Sequence, residues 1–149
     1  MTPDLATTDF ETLEVTLEDD VGTITIDRPE RMNAISPTLL EELPTAVETL
    51  EDGDARVVVV RGTGDRAFSA GADLSKIVEG TTEEVADLSR QGHEAFGTLT
   101  ETPLPVLAAI DGFCLGGGME LATHADLRIA TQDALFGQTE HNLGLIPGW

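Results

Sequence analysis

Hydrophobic and polar positions alternate along the first part of the chain and then change period. Leu13, Val15 and Leu17, followed by Val21 and Thr23-Ile24-Thr25-Ile26, predict two strands joined across Glu18-Asp19-Asp20 as a hairpin. Asp27-Arg28-Pro29-Glu30-Arg31 ends the second strand, because proline restricts the residue before it and offers no N–H to a ladder. From Ser36 the period lengthens. Ser36-Pro37 reads as an N-cap with proline at the first helical position, and Leu39, Leu43, Val47 and Leu50 recur at helical spacing up to Gly53. Pro44 inside that stretch is expected to kink or weaken the helix.

The run Val57-Val58-Val59-Val60, bounded by charge and glycine, predicts a fully buried strand. Helical spacing returns over residues 82–100 through Val85, Leu88, Phe96 and Leu99, interrupted by Gly92 and Gly97. Beyond Pro103 and Pro105, residues 106–110 predict another strand, 117–124 a short helix, 127–130 a third central strand and 134–136 a shorter one. Strands alternating with helices at this spacing place the chain in the α/β class. Its 149 residues suit one domain, since a chain of this size buries about 68–70% of its unfolded surface.

Charge narrows the functional classes. There are 28 acidic against 8 basic residues, a formal net charge of -20, with Lys76 the single lysine. Such a field repels phosphate backbones and anionic headgroups, so neither nucleic acid nor a membrane is an expected partner. The acids are scattered among hydrophobic runs, as on the solvated face of a folded protein, and the composition resembles that of cytosolic proteins from salt-adapted organisms. One cysteine, Cys114, cannot form an intramolecular disulfide and is expected to be a small core residue. The N-terminal residues carry neither a basic n-region nor an apolar core, and no apolar run approaches a membrane span, so a cytoplasmic location is expected. His93, His124 and His141 are not spaced as a metal set; each reads as a surface or packing residue, and no metal is expected.

Two glycine segments carry the chemistry. Small residues in Phe68-Ser69-Ala70-Gly71-Ala72-Asp73-Leu74 and in Leu115-Gly116-Gly117-Gly118-Met119-Glu120 let main-chain N–H groups approach a ligand atom, and two converging donors form an oxyanion hole. Gly117 and Gly118 open a predicted helix, where unsatisfied donors and the helix dipole favour negative charge, and Glu120 three residues after Gly117 lies over the same helix end. Taken singly, the glycine triplet reads as a site of close helix–strand packing and the segment around Ala70 as a plain turn.

Taken together they form a pattern. The segment 68–74, then Pro105-Val106-Leu107-Ala108-Ala109-Ile110-Asp111-Gly112, Gly116-Gly117-Gly118-Met119-Glu120-Leu121-Ala122 and Ala134-Leu135-Phe136-Gly137-Gln138-Thr139-Glu140 closely resemble the crotonase superfamily of enoyl-CoA hydratases and isomerases in order and spacing. The opening Ile26-Asp27-Arg28-Pro29-Glu30-Arg31-Met32-Asn33-Ala34-Ile35 matches too, so the resemblance covers the chain from about residue 13 onward. It implies a crotonase-like (ClpP/crotonase) α/β fold, a spiral of ββα units, with residues 1–149 as its N-terminal core domain. Family members continue beyond the segment that ends at Trp149 into a helical region that completes the acyl pocket and builds a trimer or dimer of trimers. The resemblance therefore implies a domain incomplete at its C-terminal end.

By the same resemblance, Ala70 and Gly117 donate the two backbone N–H groups to the thioester carbonyl oxygen. Glu120 and Glu140 are the paired carboxylates, with Glu140 the principal acid/base and Glu120 positioning water. Met32, Ala34, Ala72, Asp73, Leu74 and Gly116 line the path of an acyl-CoA, which is substrate rather than cofactor; no other cofactor is implied. Arg28 and Arg31 suit either phosphate contacts or local ion pairs. The implied activity is hydration of 2-enoyl-CoA thioesters. Alternatives are enoyl-CoA isomerisation, another acyl-CoA reaction on this fold, or an inactive acyl-CoA-binding fragment.

Overall fold

The computed structural model describes residues 9–75 and 80–149. Lys76 and most of the segment read for a leader lie outside these residues. Strands β1 (Leu13–Glu18) and β2 (Val21–Ile26) pair antiparallel, with Leu13 opposite Ile26 and Glu18 opposite Val21. Their two-residue turn is Asp19-Asp20, at φ 50 and 65. That left-handed geometry matches the strand twist, and aspartate tolerates it. Helix α1 (Pro37–Asp52) begins as expected, the Ser36 hydroxyl oxygen accepting the Leu39 N–H at 3.2 Å. It runs uninterrupted through Pro44, and burial of Leu39, Leu43, Val47 and Leu50 in the core supplies the stabilisation that proline withholds.

After α1 the chain repeats a unit. β3 (Val57–Gly62) lies in a large sheet, β4 (Ala67–Ser69) in a small one, and α2 (Thr82–Glu101) follows. β5 (Val106–Ile110), β6 (Phe113–Leu115) and α3 (Gly117–Thr123) repeat that sequence, and β7 (Leu127–Ala130) with β8 (Leu135–Gly137) start it again. The large sheet has the order β1-β2-β3-β5-β7, parallel from β2 onward; the small sheet is β4-β6-β8, all parallel. Helix α2 opens with a capping box in which Thr81 and Glu84 satisfy each other's backbone N–H.

The core is one cluster that joins Ile24, Val58, Val60, Val106 and Ile110 of the sheet to the apolar stripe of α1 and to Phe96 and Leu99 of α2. Fully burying each such side chain contributes about 1.5–3 kcal/mol. Two expectations need correction. Only Val58 and Val60 of the valine run are buried, because alternate residues of β3 face opposite sides of the sheet. β7 is an edge strand among the described residues rather than a central one, and all four of its residues are exposed, Leu127 and Ile129 at 62%.

Candidate active site

A buried asparagine organises the loops that lead to the glycine segments. Asn33, 1% exposed, sits in a left-handed conformation and donates its amide to the carbonyls of Thr63 at 3.0 Å and Ala67 at 2.7 Å. Its Oδ1 accepts the Arg28 N–H at 3.0 Å. The Arg28 guanidinium then reaches the Ala34 carbonyl and pairs with Asp73 at 3.1 Å, both side chains largely shielded from water. Arg28 is thus a local clamp between the loop 28–35 and the segment 70–74. The Ser75 hydroxyl, with Arg28 alongside, holds the Asp73 carboxyl below its ordinary range.

The clamp aims the backbone of the first glycine segment. Ile35 donates its N–H to the Gly71 carbonyl at 2.8 Å and accepts the Asp73 N–H at 2.8 Å, a parallel bridge around Ala72. In such a bridge the intervening residue turns its own N–H to the opposite side. That side faces α3: a Cβ placed on Gly117 would lie 3.4 Å from the Ala72 nitrogen, and one on Gly71 would lie 3.3 Å from the Gly117 nitrogen. Gly71 permits this contact. Its φ of 102 excludes ordinary side chains, and an added Cβ would stand 2.9 Å from the Leu115 carbonyl. Neither the Ala72 nor the Gly117 N–H has a hydrogen-bond partner among the described residues.

This corrects the expectation for Ala70. Its N–H donates to the Met32 carbonyl at 3.0 Å, so it is committed to holding the loop, and the amide offered beside Gly117 is that of Ala72. Two residues apart, they would present their N–H groups to the same side of a regular strand; the positive φ of Gly71 between them breaks that alternation, which sequence spacing does not mark.

Two carboxylates approach the same space. Glu120, in the first turn of α3, is 5% exposed and accepts the Trp149 N–H at Oε1, 2.7 Å away. Burial pushes its carboxyl above the ordinary range; the Trp149 N–H opposes the shift and the charge of Glu140 adds to it. Glu140 enters from the turn after β8 (Glu140–Leu143), its Oε1 lying 3.1 Å from where a Gly116 Cβ would be. With its amide oriented to suit the carboxylate, Gln138 donates to both Glu140 oxygens at 3.1 and 3.3 Å.

A cleft of about 250 Å³ gathers these groups. Ala70, Ala72, Leu74, Gly116, Gly117, Glu120 and Glu140 line it. Met32, Ala34 and Asp73, expected along the ligand path, do not; they act one step back, as acceptors for Ala70 and Arg28. Other lining residues were not anticipated: Val85, Leu88 and Ser89 of α2, then Leu143, Leu145, Ile146 and Trp149. Val85 and Leu88 are helix-periodic positions that read equally as core. Cys114 is fully buried and burial raises its thiol to about 11, which suits packing rather than nucleophilic chemistry. His124 packs edge-on against Phe96, its Nδ1 2.9 Å from the Glu120 carbonyl oxygen. No three His, Cys, Asp or Glu side chains gather as a metal site among the described residues, and none of their helices is long and apolar enough to cross a membrane.

Comparison with known proteins assigns the chain to a family. Residues 16–149 match the enoyl-CoA hydratase/isomerase family. A short-chain-enoyl-CoA hydratase of Clostridium acetobutylicum is 39% identical over 133 residues, 89% of this chain and 51% of that protein. A crotonyl-CoA hydratase of Syntrophomonas wolfei is 36% identical over 141 residues, 94% of this chain and 54% of that protein. The solved enoyl-CoA hydratase of Thermoplasma volcanium superposes with a TM-score of 0.88 at 34% identity, covering 92% of this chain and 55% of that one. The chain spans about half the length of the curated relatives it matches. Repeated ββ(α) units, two glycine-built loops in contact and a matching family sequence lead to one conclusion: this chain belongs to the enoyl-CoA hydratase/isomerase family, within the crotonase superfamily.

Proposed function

We propose that the site hydrates a 2-enoyl-CoA thioester. The observation that carries this reading is the meeting of two unpartnered amides, Ala72 and Gly117, in a cleft that also holds Glu120 and Glu140. The thioester carbonyl oxygen sits between the two N–H groups, which polarise the conjugated system and make the β-carbon electrophilic. Negative charge collects on that oxygen as the enolate forms, and preorganised donors stabilise it there; losing one typically costs about 10²–10³ in rate.

The carboxylates handle the water. Glu120, held by the Trp149 N–H, orients it, and Glu140 accepts its proton as the hydroxyl bonds to the β-carbon. Glu140 then returns that proton to the α-carbon, so one water is added and the carboxylate is regenerated. Gln138 aims Glu140 through both of its oxygens. The segment 70–74 meets the rest of the acyl-CoA, with Leu74 presenting an exposed apolar surface. The hydratase names of the relatives weigh toward hydration over isomerisation within the family.

Loss of crotonyl-CoA absorbance tests the reading. Turnover that falls by about 10²–10⁴ in Glu140→Gln supports it. Turnover indifferent to that change overturns the mechanism, and binding without turnover in the unaltered chain assigns this piece of the fold an acyl-CoA-holding role alone.

A further inference from the structure

Trp149 is the single tryptophan of the chain, and its two halves serve different ends. Its main-chain N–H holds Glu120. Its indole lies between α2 and the start of α3, edge-on to Phe96 at 5.6 Å between ring centroids and 85° between planes. Glycine makes room for it on both sides. A Cβ on Gly92 of α2 would collide with indole Cδ1, and one on Gly117 would stand 2.6 Å from Cζ3. Gly92, which interrupts the helical period of α2, is the floor of the slot in which the ring sits. Trp149 is also one of the residues that line the cleft, as are Gly117, against which its ring packs, and Val85 and Leu88 of α2.

We propose that the Trp149 indole is a specificity-determining wall, which fills the slot between Gly92 and Gly117 and restricts the cleft to short acyl chains. This rests on the reading of the cleft as an acyl-thioester site. Without the ring, the slot opens toward Phe96 and Gly92, an apolar space that accepts further methylenes, each worth about fourfold in affinity when buried. A ring clamped by two glycines and a T-shaped aromatic contact has little freedom to swing aside.

The test is equilibrium binding of unreactive saturated ligands to the whole chain, with free coenzyme A, butyryl-CoA, hexanoyl-CoA and decanoyl-CoA titrated by calorimetry. Because Trp149 is the sole tryptophan, its emission reports whether the acyl group reaches the ring. The proposal expects butyryl-CoA to bind more tightly than free coenzyme A and decanoyl-CoA, with a change in emission on butyryl-CoA binding. In Trp149→Ala the ratio of decanoyl to butyryl affinity rises by about tenfold or more, and Trp149→Phe moves back toward the original order. Gly92→Ala pushes the ring into the cleft and weakens hexanoyl-CoA more than butyryl-CoA; alanine favours the helix, so loss of α2 does not explain that result. If no acyl-CoA binds better than free coenzyme A, the acyl-site reading itself falls. If acyl-CoA binds but Trp149→Ala keeps the chain-length order, the site stands and the wall is overturned.

Discussion

The two sides of the cleft are built in opposite ways. On the amide side, the segment 67–73 and the start of α3 are threaded through the core: Phe68, Ser69, Gly117 and Gly118 are buried, and Asn33 and Arg28 fix the neighbouring backbone. On the acid side, Glu140 comes from a turn after β7 and β8, where Leu127, Ile129, Leu135 and Phe136 are all about half exposed or more. The first region positions main-chain atoms and tolerates little change. The second delivers a side chain, whose reach absorbs modest shifts of the backbone beneath it. Precision is concentrated where, on the proposed reading, the ligand meets donors that cannot rotate.

Gly71→Ala should break this contrast most sharply. The strained φ costs about 1–3 kcal/mol, and the new methyl group meets the Leu115 carbonyl and displaces Ala72 from Gly117. Urea unfolding should show that loss of stability, and crotonyl-CoA turnover should fall by a further factor of about 10²–10³. The matched change Ile129→Thr, on exposed β7, should move stability by no more than about 0.5 kcal/mol in the same assay. Equal effects at the two positions would remove the distinction between the two sides.

A gentler change sharpens it. Glu120 is the acid that belongs to the buried side, and burial raises its folded pKa above the ordinary glutamate value that applies in the unfolded chain. Ionised Glu120 therefore penalises folding in full above the raised value; the penalty fades as pH falls from there to the ordinary value and is absent below it. Glu120→Gln, which keeps an oxygen for the Trp149 N–H, should raise the urea midpoint at neutral pH and lose that advantage on acidification. A midpoint difference that is constant with pH would show that ionisation of Glu120 carries no folding penalty.

The same contrast governs what could be read from the residues. β1, β2, α1 and α2 were legible because each repeats an apolar period over several residues, α1 anchored by Ser36 and Gly53, and β5 because an unbroken apolar run follows paired prolines. β4 and β6 were not, since their three residues run into the segments 68–74 and 115–120 and read with them as loops, and the pairing of β4, β6 and β8 into a second sheet is a tertiary fact. β7 carries the apolar composition of an inner strand yet lies at an edge of the sheet formed by the described residues. In the site, Gly117, Glu120 and Glu140 were found by motif and do line one cleft. The error at Ala70 has a physical cause: every residue of a small-residue loop looks capable of presenting its amide, and only the bridge to Ile35 shows which face Ala72 offers. Trp149 went unassigned because its partners, Gly92 and Phe96, lie far away in sequence.

Amide resonances of the isotopically labelled chain, followed during titration with butyryl-CoA, test the central claim most directly. The account predicts that the amide protons of Ala72 and Gly117 move strongly as they take a hydrogen bond to the thioester oxygen, while that of Ala70, already bonded to Met32, stays in place. Movement of Ala70 with Ala72 and Gly117 unchanged would contradict it.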